Sequence, residues 1–443
     1  MSDQTHFLKD IPSDWRSDRM GNVAEILFSN VDKHTFDSEI PVRLCNYVDV
    51  YKNDRITSDI EFMEASAEPR EIAHFQIQKG DVLATKDSET PDDIAIPSLV
   101  AETLPGVLCS YHLALIRPKA HQVYGAYLAW LHCSKAFRSH YEAQAVGVTR
   151  FGLSQAAFKE ARIPLPPLPE QQRIAAYLDA SCAAIDAAVA AKRRQLETLD
   201  AVRESIIETA VTRGLNGKTK LQVIERDWIG LLPDHWAAVR IKQVISRLDY
   251  GISVSSASEG KYPVLKMGNI QSGEVVFSKM EFVDEVADEL LLEYNDLLYN
   301  RTNSPDQVGK AALFLGTKDD AVTFASYLVR LRANHRIIPD FLNYAVNCGG
   351  FLAFARRLAI PSVQQSNLNS TRYGRLHIPL PPVTEQRAIC EYLNAKIGEM
   401  KRVVAAIQTQ ITTLTAYRKS LIHECVTGQR RIAEADINRV QHG

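Results

Sequence analysis

The sequence is poor in the features that would place it in a specialised class. Its seven cysteines, at 45, 109, 133, 182, 348, 390 and 425, are odd in number, and no two stand at CxxC spacing. That excludes a disulfide scaffold and a zinc knuckle, and it fits buried thiols in a reducing cytoplasm. No unbroken run approaches the ~18 apolar residues that span a bilayer, so no membrane partner is expected. Met1-Ser2-Asp3-Gln4 is polar, with no basic patch leading into an apolar stretch, so no secretory signal is expected either. Neither sign of charge dominates: 51 Lys and Arg against 53 Asp and Glu give −2. The basic footprint that nucleic-acid binding usually leaves is therefore missing from the sum. What remains is ordinary: 443 residues, 46% hydrophobic, enough for roughly two to four domains.

Catalytic motifs are missing too. Gly214-Leu215-Asn216-Gly217-Lys218-Thr219 looks like a phosphate loop, but its first glycine would fall at Thr212. It also follows a helical pattern rather than a strand, so it reads as a helix C-cap. There is no NPPY-type adenine pocket, Gly-rich cofactor loop, helicase motif or PD…ExK pattern. His140-Tyr141-Glu142 lacks the PCxxC that a zinc deaminase needs. No catalytic residue, metal or cofactor is expected in this chain.

What is present is a repeat. Ile163-Pro164-Leu165-Pro166-Pro167 recurs as Ile378-Pro379-Leu380-Pro381-Pro382, 215 residues on. Nearly half of the positions from 163 to 212 are identical at that offset. Upstream the repeat is faint. Asp81-Val82-Leu83 meets Asp296-Leu297-Leu298, Leu113–Arg117 meets Leu328–Arg332, and Pro12 and Trp15 meet Pro233 and Trp236.

After each proline-rich stretch the pattern predicts a long helix. Pro169 suits a first helical turn, and Thr384 suits an N-cap ahead of Glu385. Apolar positions then alternate in steps of three and four, from Ala175 to Ala210 and from Cys390 to Cys425. Six heptads imply a coiled-coil seam, on helices of ~43 residues and roughly 65 Å. Gly214 and Gly217 end the first. Gly398 interrupts the second, as a mark of close approach to the other helix or a partner. Short linkers around the second domain require the two helices to run antiparallel.

Residues 12–162 and 233–377 read as mixed α and β, with strands around 41–45, 80–85, 263 and 296 and helices over 122–138 and 340–357. The expected fold is therefore two copies of an α/β (α+β) domain separated by two long helices in an antiparallel coiled coil, a pseudo-twofold dumbbell. The boundaries are 1–162, 163–217, 218–377 and 378–443. Positive charge gathers late in each domain. Residues 117–150 hold five Lys and Arg against one acid, and 330–375 hold seven against one. Such a span is either a phosphate-facing surface or a solvated face balanced by acids. Within it, Val148-Thr149-Arg150-Phe151-Gly152 and Val363-Gln364-Gln365-Ser366-Asn367 occupy equivalent places. They differ in the residue types that read bases, as two readers of different sequence would.

IPLPPLPEQQRIAAYLD (163–179) and IPLPPVTEQRAICEYLN (378–394), each after a variable domain and before a long helix, resemble the specificity subunits of type I restriction–modification enzymes. Asp81–Lys86 and Arg43–Asn46 also resemble stretches of that family's target recognition domains. The resemblance implies a noncatalytic reader of double-stranded DNA, each domain taking half of a split, asymmetric site. It implies partnership with two methylation subunits, which use S-adenosylmethionine, and two restriction subunits, which use ATP and Mg2+. Candidate DNA contacts are Arg150, Arg356, Arg357, Gln364, Gln365 and Asn367, with Lys86 and Arg301 behind them. Glu170, Gln171, Tyr177 and their counterparts Glu385, Gln386 and Tyr392 either position the helix starts or meet the methylation subunits. The rival reading is a coiled-coil scaffold for protein assembly that reads no DNA.

Overall fold

A computed structural model describes Leu8 and residues 11–442 except Val363. Met1–Gln4 and Val363 therefore lie outside the described residues. The chain divides into two compact units, 1–193 with 408–443 and 194–407. The division cuts both long helices midway, so each globular domain carries the start of one helix and the end of the other.

In the first unit the main sheet has five strands. Their order is Ala24–Phe28, Leu113–Pro118, Val82–Thr85, Pro97–Val100, Arg55–Ile56. In the second it has six, beginning Ile245–Tyr250, Leu328–Ala333, Leu297–Asn300, Ala311–Leu313. The faint upstream repeat is the centre of these sheets. Leu115 pairs with Leu83, and Arg330 pairs with Leu298, in the same register 215 residues apart. Burial on both faces keeps these strands apolar, which is why their sequences stayed alike. Beside each lies an ion pair at the same offset. Arg117 donates to Asp81 at 2.8 and 3.1 Å, and Arg332 to Asp296 at 2.7 and 2.9 Å. Each acid is almost wholly buried.

The helices expected over 122–138 and 340–357 are each two helices. Gly125–Cys133 breaks at Ser134 before Lys135–Gln144, and Pro339–Asn347 breaks at Cys348 before Gly349–Arg357. Ser134 and Cys348 are extended, with ψ of 124° and 153°. The long helices run Leu168–Arg213 and Val383–Thr427. Thr384 is therefore inside the first turn, not the N-cap. Pro382 holds that place, its carbonyl accepting from Glu385 and Gln386. Gly214 and Gly428, at φ 74° and 79°, end the helices. Residues with side chains rarely adopt that conformation.

Within each unit the helix halves run antiparallel, since the start of one shares a core with the end of the other. Ala175, Leu178, Cys182 and Ile185 join Leu421 and Cys425 in the first unit. Ala210 and Val211 join Ile389, Cys390 and Leu393 in the second. Each such leucine or isoleucine contributes roughly 1.5–3 kcal/mol on burial. By length and composition Leu168–Arg213 could also cross a membrane, through its alanine-rich first half. That half is instead pinned to its own domain. Asp179 accepts from Trp130 Nε1 at 2.8 Å, and Asp186 pairs with Arg418 at 3.0 Å. All seven cysteines are free, and burial raises every thiol.

Candidate nucleic-acid interface

The positive spans are partly spent inside the protein. Arg117 and Arg332 hold the buried acids just described. Arg330 is fully buried. It donates to Asp249 at 2.6 and 3.0 Å and to the carbonyls of Leu291 and Glu289. These three cannot meet phosphates. The sequence reading of a positive surface applies only to the remainder.

Six of the eight candidate contacts come together in two places. In the first unit Val146–Gly147 and Phe151–Gly152 form a hairpin whose second strand pairs with Asp87–Ser88. This brings Arg150 to the strand beginning just after Lys86. Arg150 donates to Asp87 Oδ1 at 3.0 Å and stays 57% exposed. His112 Nδ1 also reaches Asp87, at 3.0 and 3.1 Å. Lys86 turns inward, its ammonium 4.9 Å from the Phe28 ring and 4.6 Å from Tyr111. Desolvation lowers its pKa. It buttresses the hairpin more than it presents a charge.

In the second unit Ile360–Ser362 and Gln365–Asn367 form the matching hairpin, and its second strand pairs with Thr302–Asn303. Arg301 immediately precedes that strand. Its guanidinium lies 5.1 Å from the Tyr250 ring and donates to the Ser326 carbonyl at 3.1 Å. Gln364 turns the chain at φ 59°, and it and Gln365 are exposed. Asn367 donates to Thr302 Oγ1 at 2.9 Å. Arg356 and Arg357 end the helix that leads into this hairpin. Arg357 is exposed over Phe354. Arg356 faces a groove of about 950 Å³ that Lys310 also lines. Its Nε is buried without a partner. The hairpins were invisible as strands in the sequence, because two or three residues carry no alternation. The equivalence of 148–152 and 363–367 was the only signal.

The EQ pairs have the first of their two expected roles. Gln386 Oε1 accepts from Ile338 N at 2.7 Å, and Nε2 donates to the carbonyls of Arg336 and Pro381. Gln171 repeats this with Tyr124 N, Gln122 and Pro166. Both are fully buried. Glu170 accepts from Trp15 Nε1 and from Arg431, and Glu385 accepts from Trp236 Nε1 and His235. That explains why Trp15 and Trp236 were landmarks. Glu170, Gln171 and Gln386 have no surface to offer a partner, which corrects the interface expectation for them. Tyr177 is buried beneath Arg430, at 5.4 Å, which corrects it there also. Glu385 is half exposed and Tyr392 is 38% exposed, so these two remain accessible.

Residues 12–198 match the family model described as type I restriction modification DNA specificity domain. The chain is similar to the specificity subunits of type I restriction–modification enzymes. The Escherichia coli EcoKI specificity subunit is 21% identical over 77% of this chain and 75% of the relative. The MjaVIII specificity subunit of Methanocaldococcus jannaschii is 22% identical over 95% of this chain and 94% of the relative. The MjaX specificity subunit of the same organism is 25% identical, but that match spans 45% of this chain and 47% of the relative. Among solved structures, a chain from a study of type I R-M complex assembly superposes with TM-score 0.73 at 18% identity. It covers 95% of this chain and 100% of that one. The HsdS subunit from Thermoanaerobacter tengcongensis gives 0.52, also at 18%, covering 95% and 98%. This likeness supports a DNA sequence-specificity role over the scaffold reading.

Proposed function

We propose that this chain is a noncatalytic specificity subunit and reads a bipartite, asymmetric site in double-stranded DNA, one half-site per unit. The observation that carries this is the hairpin occurring in both units with different base-reading residues at its end. Lengths of 46 and 45 residues give the two helices roughly 68 Å each, and the family resemblance assigns them to setting the gap between half-sites. The exposed helix-start residues Glu385 and Tyr392 serve as contacts for the methylation subunits. Two such subunits supply S-adenosylmethionine-dependent adenine methylation, and two restriction subunits supply ATP- and Mg2+-dependent cleavage. The chain works in a prokaryotic cytoplasm, where its seven thiols stay reduced. Footprinting of the chain assembled with its methylation subunits tests this. One split footprint with an unprotected gap is expected. Uniform protection without sequence preference would contradict it.

A further inference from the structure

We propose that the two hairpins assign base identity: Arg150 reads a guanine in one half-site, and Gln365 reads an adenine in the other. The inference rests on the bipartite reading and adds which base each unit selects.

A two-stranded ribbon is one of the few protein shapes that the ~12 Å major groove admits. The first hairpin is such a ribbon, with Val146 79% exposed on its first strand and Val148 91% exposed in its turn. Apolar side chains so placed gain nothing inside the protein, whereas a groove offers them thymine methyls. The crossing is tight. A Cβ on Gly147 would stand 1.9 Å from the Arg150 carbonyl, so the backbone here accepts only glycine. Asp87 then fixes the direction of the Arg150 side chain while over half of it stays in solvent. A guanidinium only donates. Guanine presents two acceptors in the major groove, N7 and O6, whereas adenine sets an amino donor beside its N7.

The second unit keeps the frame and changes the chemistry. Phe151 pairs with Ser88 and Gly152 with Asp87; Ser366 pairs with Asn303 and Asn367 with Thr302. All four positions are shifted by 215, so Arg150 and Gln365 each immediately precede the segment that pairs with the neighbouring strand; within the hairpins, Arg150 ends a three-residue turn whereas Gln365 pairs with Ser362 across a two-residue turn. The acid goes with the arginine. Where Gln365 replaces Arg150, Thr302 replaces Asp87. A glutamine needs no carboxylate, and its amide both accepts and donates, which matches adenine N6–H and N7.

The test is the adenine-methylation motif written in a host by the full chain with its methylation subunit, for wild type, R150A, R150Q and Q365A. Wild type is expected to show a G·C pair in one half-site. R150A should relax that position by about tenfold to a hundredfold, and R150Q should shift it towards A·T. Q365A should relax an A·T position in the other half-site only. If a variant loses methylation, competition binding of the same complex against singly substituted duplexes reads the same preference. Unchanged preferences in the arginine variants, or a wild-type half-site without a G·C pair, overturn the base assignment alone. A motif that does not depend on the wild-type chain overturns the bipartite reading with it.

Discussion

Gln386 shows how much one side chain can close. It satisfies one amide N–H and two carbonyls from two separate stretches, out of water. Gln386→Ala is expected to cost about 2–4 kcal/mol, because orphaned buried groups cost roughly 1–3 kcal/mol each. Chemical denaturation checks this. The sequence displayed the EQ motif twice but not the glutamines' partners, two of which in each copy come from residues about 50 positions away. Arg330 was less legible still. It was counted as surface charge, since the acids that hold it, Asp249 and Asp296, lie 81 and 34 residues off in sequence. Arg330→Ala should destabilise by about 3–5 kcal/mol, the range for breaking a buried pair. His132 sets an acid limit. Burial lowers its pKa to about 4, with Nδ1 against the Leu128 carbonyl and Nε2 against Tyr141 Oη. The unfolded chain then binds the proton first as pH falls below the usual 6.5. Stability is therefore complete above that value and declines by about 3 kcal/mol down to pH 4. A His132→Gln variant should show a shallower loss over that window.

The long helices were the most legible elements, because a heptad pattern sustained over six repeats marks a helix wherever it packs. The shorter helices broke at Ser134 and Cys348; Gly349-Gly350 marks the second break in the sequence, whereas no glycine or proline stands beside the first. The hairpins escaped for the opposite reason, being too short to show a period. Gly398 was expected to mark a close approach. Among the described residues, no atom beyond the neighbouring turn of its own helix lies within 4 Å of a Cβ built there, so no packing among them requires glycine. Gly398→Ala should stabilise the isolated protein by about 0.5–1 kcal/mol, raising its unfolding midpoint. If a methylation subunit approaches there, the same variant should weaken assembly while still raising that midpoint.

For the whole molecule, the repeat was legible as a number, 215, before any element was assigned. It survived best in the helices and sheet centres, where packing constrains every residue, and faded in the loops that carry recognition. Charge misled in both directions. The neutral sum hid a basic concentration, and that concentration in turn hid arginines committed to buried acids. With a net charge of −2, the isolated chain should bind DNA weakly, its affinity falling by about 0.9 log unit per tenfold salt for each phosphate neutralised. Fluorescence anisotropy across a salt series checks this, and tight, salt-resistant binding by the pure chain would oppose it. The central claim, that this chain supplies the sequence reading, is tested most directly by genome-wide adenine methylation. A host carrying the chain and its methylation subunit is compared with one lacking only the chain. A split, asymmetric motif with a fixed gap, present only with the chain, is the predicted result. Identical methylation in both hosts, with the proteins expressed and assembled, would contradict it.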